Sequence, residues 1–402
     1  MLVPIQTTKF NAAGGQYGII TNVYAYVALL IVLLTYGMET TFFRFMSKEG
    51  EDPNKVYATT LKMVGTTSVI FMAIILLFNQ PIANFLGYAD HPEYITIMYM
   101  TVAIDAFAAI PFAYLRCKHR PIKFAVLKIL NISLNIVLNL LYLIILPGLK
   151  LNLFGIYDAH FTLDVVWVFY INLICTIITL LLLWKERYGI RYSFDKSTCK
   201  RMLSYTFPLL IMGLAGQLNQ CASQIIFPYV YNGTAEEART QLGIYGACIK
   251  IAMIMVMITQ AFRYAYEPFV FGKSKDRDNK DTYAKAMKFY VIFTLLAFLT
   301  VMGYMDVLRH VVGRSYWDGL EIVPIVMAAE IMFGIFFNLS FWYKLTDRTI
   351  WGAYFSGVGA VVLIAMNILL IPSFSYWACA WAGFVSYAVS MIISYYFGQK
   401  YY

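Results

Sequence analysis

"GIYGACIKIAMIMVMITQAFRYAYEPFVF", Gly243–Phe271, decides how this chain is read. Its opening "GIYG" repeats the "GQYG" of Gly15–Gly18 at an offset of 228 residues (243 against 15). Without a gap, that offset also joins Tyr36 to Tyr264, Glu39 to Glu267 and Phe43 to Phe271, so "YGMETTFF" and "YAYEPFVF" are one feature used twice. A second pairing, offset by 225 (330 against 105), joins Asp105 to Glu330, with Ile110 and Phe112 meeting Ile335 and Phe337. Each half of the chain thus has a carboxylate in the middle of one apolar run and another at the end of an earlier run.

Those runs set the class. Of 402 residues, 60% are hydrophobic and 13% charged, where an ordinary soluble domain is about one quarter charged. Apolar stretches of about 20 residues recur between short charged loops, as helices crossing a hydrocarbon core of about 30 Å require. Eleven are readable, near residues 17–45, 58–79, 94–115, 123–147, 163–184, 203–230, 242–271, 285–307, 319–343, 350–371 and 376–398. A membrane β-barrel would show alternating segments of about ten residues instead. The sequence therefore predicts an all-α integral membrane protein.

The net charge of +9 reflects topology, not nucleic acid. With the loop after Phe45 on the cytoplasmic side, cytoplasmic loops and helix ends carry 24 of the 31 Lys and Arg. The opposite side carries Lys9, Lys150, Arg239, Arg309 and Arg314, and only Lys250 and Arg263 remain deep in an apolar run. This is the positive-inside pattern. The six cysteines have no metal-ligand spacing, four of them lying within apolar runs, and the four histidines pair with none of them. The expectation is no disulfide framework, no metal and no cofactor. No nucleophile-elbow, zinc-helix, phosphate-loop or dinucleotide motif stands in its required context, so no conventional enzyme is predicted.

Repeats separated by an even number of helices keep one orientation, which predicts two bundles of about six helices related by a pseudo-twofold axis along the membrane normal. Residues 1–190 form the first bundle and 191–402 the second. A full apolar run precedes "GIYG", whereas only "MLVPIQTTKFNAAG" precedes "GQYG". The expectation is that the first bundle lacks most of its first helix, leaving eleven.

Two such halves, with "YGMETTFFRF" closing one helix and "QAFRYAYEPFVF" its counterpart, resemble the polysaccharide-biosynthesis (Wzx-like) flippases of the MOP superfamily, which also holds the lipid II flippases and the MATE exporters. The resemblance covers essentially the whole chain. It implies a V-shaped central cavity, alternating access, and a polyprenyl-diphosphate-linked oligosaccharide carried to the outer leaflet of the bacterial inner membrane for surface polysaccharide synthesis. One departure stands out: relatives often carry charges in the helix that opens the second half, where this chain reads "GQLNQCASQIIF", Gly216–Phe227.

The candidate site follows from residues that hydrocarbon does not tolerate. Lys250 and Arg263 lie 13 residues apart on one helix, about 20 Å along its axis. They are expected to serve as successive stations for a diphosphate rather than to grip one phosphate together. Arg263 has Gln260 on its face and Glu267 at i+4, which leaves both cavity lining and simple charge pairing open. Glu39, the counterpart of Glu267, is expected in a cytoplasmic gate, paired with Arg263 in one state, and Arg44 as an interface anchor. Asp105 and Glu330 offer proton uptake, and hence H+ or Na+ coupling, or interhelical hydrogen bonding in neutral form. Gln217, Gln220 and Gln224 share one face, either as a polar wall for sugar hydroxyls or as glue between helices. Two other functions compete. A MATE-like cation-coupled exporter would favour acids over cations, and a glycan polymerase or ligase would need a large external loop that the sequence does not offer.

Overall fold

A computed structural model describes all residues except 1, 11, 47, 49, 119, 150–162, 188–193, 273–278, 346–349 and 402, with backbone alone at 148–149, 185, 187, 208, 212, 264–265, 267–272, 279–282, 344–345 and 401. The described residues form helices and no strand. The principal helices are α1 (Val3–Lys9), α2 (Gln16–Thr35), α3 (Met38–Met46), α4 (Pro53–Leu77), α5 (Pro92–Cys117), α6 (Pro121–Leu140) and α7 (Val166–Leu182). After them come α8 (Lys196–Val230), α9 (Ala235–Gly272), α10 (Asn279–Gly303), α11 (Val323–Leu339), α12 (Ile350–Phe374) and α13 (Tyr376–Tyr401). All eleven apolar runs fall on helices. Among the described residues, nine are long and apolar enough to cross a membrane. Of the other two runs, α7 is short at 17 residues and α8 extends to 35.

Contacts divide the chain into two compact units, one holding Val23–Gln217 and the other Val3–Asn22 with Leu218–Tyr402. The divisions after Asn22 and after Gln217 fall inside helices, α2 and α8.

In the first unit, the run 17–45 is not one helix. Tyr36 and Gly37 take φ of 34° and 70°, a left-handed step that closes α2 and lets α3 start at Met38. Thr206 Oγ1 donates to the Tyr36 carbonyl at 2.8 Å, satisfying a group that the break would otherwise orphan. The counterpart pair in the repeat is Tyr264-Ala265, and there α9 runs on unbroken. Alanine favours helix and disfavours the left-handed region, so Ala265 fits the continuous helix as Gly37 fits the break. Pro208 and Pro268 read in sequence as positions that kink or end their helices; α8 and α9 continue through both. The unit's core packs Met38, Phe42, Val56, Tyr57, Val64 and Ile110, with Tyr57 stacked on Tyr114 at 4.2 Å between ring centroids. Asp52 caps α4 by accepting from Asn54 N at 2.9 Å, with Pro53 in the first turn.

In the second unit, the repeated glycines meet each other. A Cβ on Gly18 would lie 1.8 Å from the Arg239 carbonyl oxygen, one on Gly243 3.0 Å from Gly18 N, and one on Gly246 2.1 Å from Thr21 Oγ1. The start of α2 thus crosses α9 backbone to backbone, a close approach that only residues without side chains permit. The segment before α2 is latched to the turn that precedes α11. Gly313 N donates to Thr7 Oγ1 at 2.9 Å, and Tyr316 Oη to the Phe10 carbonyl at 2.6 Å. Farther along, hydroxyls and amides join the helices: Ser386 Oγ donates to the Gly359 carbonyl at 2.8 Å and Asn367 Nδ2 to Ser223 Oγ at 3.0 Å.

Candidate functional site

Both candidate cations lie on the continuous helix α9. Lys250 is exposed and has no ion-pair partner among the described residues. Arg263 is half-buried, its guanidinium 4.2 Å from the centroid of the Phe337 ring, and its Nε is buried without a hydrogen-bond partner among the described residues. A cation over an aromatic face is attracted by the quadrupole of the ring. Gln260 is half-buried one turn earlier. Glu267 lies in α9, but its side chain falls outside the described residues.

Glu39, in the first turn of α3 where the helix dipole favours an acid, is ion-paired with Arg116 of α5. Arg116 also lies over Phe43 at 4.8 Å and Phe124 at 5.3 Å. That partner was not singled out in the sequence, because Arg116 reads as one more loop-side anchor. Arg44 stacks over Tyr205 at 4.1 Å.

The two mid-membrane acids have different surroundings. Glu330 on α11 is half-buried, with Tyr245, Tyr290 and Tyr387 as the titratable groups about it. Tyr245 belongs to the "GIYG" motif. Asp105 on α5 is exposed, with Thr176 as its side-chain hydrogen-bond partner and Lys128 and Tyr24 within electrostatic reach. Lys128 is itself a finding: its Nζ stands 4.3 Å over the Phe112 ring. Phe112 and Phe337 are equivalent in the repeat, so each unit has a cation poised over the same phenylalanine. Lys128 escaped the sequence reading because a lysine in the first two turns of an apolar run looks like a topology anchor.

The three glutamines share one face of α8. Gln217 and Gln224 are half-buried and Gln220 is exposed. The Gln224 carbonyl accepts from Asn22 Nδ2 at 2.8 Å. Among the described residues, no group of three His, Cys, Asp or Glu is placed to hold a metal, and all six cysteines are free.

Comparison with known proteins agrees with this architecture. A family described as "Polysaccharide biosynthesis protein" matches residues 15–266, which is more than half of the chain. No curated protein matches the sequence. Among solved structures, the chain is similar to a multidrug resistance MATE family transporter of the MOP superfamily in an inward-facing conformation. The TM-score is 0.74 at 14% identity, over 99% of this chain and 92% of that one. It is equally similar to the lipid II flippase MurJ in an inward closed conformation, with a TM-score of 0.74 at 14% identity over 98% and 83% of the two chains. An outward-facing MATE transporter aligns with a TM-score of 0.61 at 14% identity, over 97% and 86%. At these identities the likeness is one of fold, that of a multi-pass membrane transporter.

Proposed function

Because the chain belongs to the polysaccharide biosynthesis protein family, we propose that it flips a polyprenyl-diphosphate-linked oligosaccharide from the cytoplasmic to the outer leaflet of a bacterial inner membrane, by alternating access and without chemical conversion. The observation that carries this reading is the pair of cations on α9. Among the described residues, Lys250 is exposed without an ion-pair partner, and Arg263 is held over Phe337 with its Nε unpartnered. A buried or membrane-embedded cation is unfavourable by at least a few kcal/mol unless something anionic or wet faces it. A diphosphate supplies the charge, and a helix with no break between the two residues supplies stations about 20 Å apart. An exporter of cationic drugs would be repelled by both. Gln217, Gln220 and Gln224 add neutral donors and acceptors for sugar hydroxyls. Glu39 with Arg116 forms a cytoplasmic-side latch whose opening admits cargo. Glu330, with tyrosines and, among the described residues, no ion-paired cation about it, is the acid best suited to carry a coupling proton.

The test is to delete the gene in its host and measure lipid-linked glycan on the inner leaflet, adding back wild type, Arg263→Ala or Lys250→Ala. Accumulation relieved by wild type and not by the variants is expected. Unchanged glycan lipid in the deletion strain, with altered sensitivity to cationic dyes, would favour the exporter instead.

A further inference from the structure

The first unit carries a polar constellation to which the proposed flipping path assigns no role. Helix α6 has two characters. Ile122, Val126, Ile129, Ile132 and Val137 are exposed apolar residues suited to lipid, whereas Lys128, Asn131, Asn135 and Asn139 recur at i, i+3, i+7 and i+11 along a second face. That face meets α7: Asn131 Nδ2 donates to Thr179 Oγ1 at 2.7 Å, and Asn135 lies 3.5 Å from Asn172 Oδ1. Asn172 in turn donates to Tyr24 Oη at 3.1 Å.

Accessibility along this network leaves it open to a ligand. Asp105 and Lys128 are exposed on membrane-spanning helices, and 37% of the Tyr24 surface is open. Exposed charges at that depth cannot face hydrocarbon, so they line a wet surface. Depth orders the groups. Lys128 lies about 10 Å from the cytoplasmic start of α6, and Asp105 about 16 Å from Arg116 at the same side. Tyr24 and Asn172 lie about 12 and 9 Å from the opposite ends of α2 and α7.

We propose that Tyr24, Asn172, Asp105 and Thr176 form a sugar-binding site within the first unit, with Lys128 at its cytoplasmic end. The chemistry matches a polyhydroxylated ring. Asn172 offers a donor and an acceptor, Asp105 accepts two hydroxyls, and Tyr24 presents a flat apolar face beside its hydroxyl. Lys128 within reach of Asp105 opposes a resident metal cation and suits a ligand that has a neutral sugar beside an anionic group. The inference deepens the flippase reading and names where the glycan part of the cargo is held.

The experiment uses the full chain in lipid nanodiscs, with saturation-transfer NMR against a panel of free hexoses and N-acetylhexosamines, and separate arms with inorganic pyrophosphate and with Na+. At least one sugar is expected to show saturation that falls five-fold or more in Tyr24→Ala and in Asp105→Asn. Tyr24→Phe, which keeps the ring and the packing, is expected to lose less. Pyrophosphate binding, if seen, should fall in Lys128→Met and survive in Tyr24→Ala. No saturation by any sugar, or equal saturation in wild type and variants of unchanged thermal midpoint, overturns the site. A thermal shift given by Na+ alone and abolished in Asp105→Asn also overturns it, in favour of a cation site. Sugar binding is read independently of transport, so its failure and the failure of flipping are told apart.

Discussion

Placing one methyl group at Gly18 tests the crossing of α2 and α9. In Gly18→Ala the new Cβ would sit 1.8 Å from the Arg239 carbonyl oxygen, a backbone atom with no rotamer to change. Restoring an ordinary 3.4 Å contact means separating the two segments by about 1.6 Å. A radial gap of even 0.5–1 Å forfeits about a quarter to a half of each dispersion contact along the seam. Overpacking of this kind is unfavourable by about 1–3 kcal/mol. In a unit of this size, about 2 kcal/mol lowers the thermal midpoint by roughly 4–8 °C. Gly216→Ala is the control: nothing lies within 4 Å of its Cβ position in the middle of α8, so the helix should gain about 0.5–1 kcal/mol from lost backbone freedom in the unfolded chain. The assay is tryptophan fluorescence against temperature in detergent. Equal midpoints for the two variants, or a more stable Gly18→Ala, would refute the close crossing.

Three other perturbations follow from the same geometry. Gly37→Ala puts a side chain at φ 70° with its Cβ 2.9 Å from Leu209 Cβ. It should destabilise the first unit by about 1–3 kcal/mol, read as a lower midpoint, whereas Ala265→Gly should be unfavourable by about 1 kcal/mol through helix propensity alone. Glu39→Gln breaks a half-exposed ion pair with Arg116, so its midpoint should move by less than that of Gly37→Ala, since such pairs contribute about 0–1 kcal/mol, while inner-leaflet glycan lipid changes. The Asp195 carboxyl, just before α8, accepts from Ser197 N at 3.0 Å and Thr198 N at 3.2 Å, and these bonds with the Thr198 hydroxyl hold it below the usual carboxylate range. Its stabilisation is therefore present above the unfolded value of about 3.9 and is lost as pH falls through the lower folded value. Asp195→Asn should remove that step from a midpoint-against-pH curve, and an unchanged curve would count against it.

What the residues disclose in advance is unequal. Apolar runs declare helices because a spanning helix must be long and uncharged, and every run falls on helix, the run 17–45 on two of them. The repeat "GxYG" is visible as a pattern, but its cause, two backbones in contact, depends on where the copies lie in space. The break at Tyr36-Gly37 was readable in principle from glycine's tolerance of positive φ, yet the continuous apolar run outweighed it. Lys128 and Arg116 read equally as topology anchors, because charge near the end of a run has two explanations, a lipid interface or a wet face. Only the positions of Asp105 and Glu39 decide between them.

The glycine seam also has a consequence for biogenesis. Arg239, the partner of Gly18, leaves the ribosome about 220 residues after it, some 10–45 s at ordinary translation rates of about 5–20 residues per second. Through that interval the start of α2 has entered the membrane without the surface that completes it. Until α9 arrives, the two glycines stay without the backbone that packs on them in the folded chain.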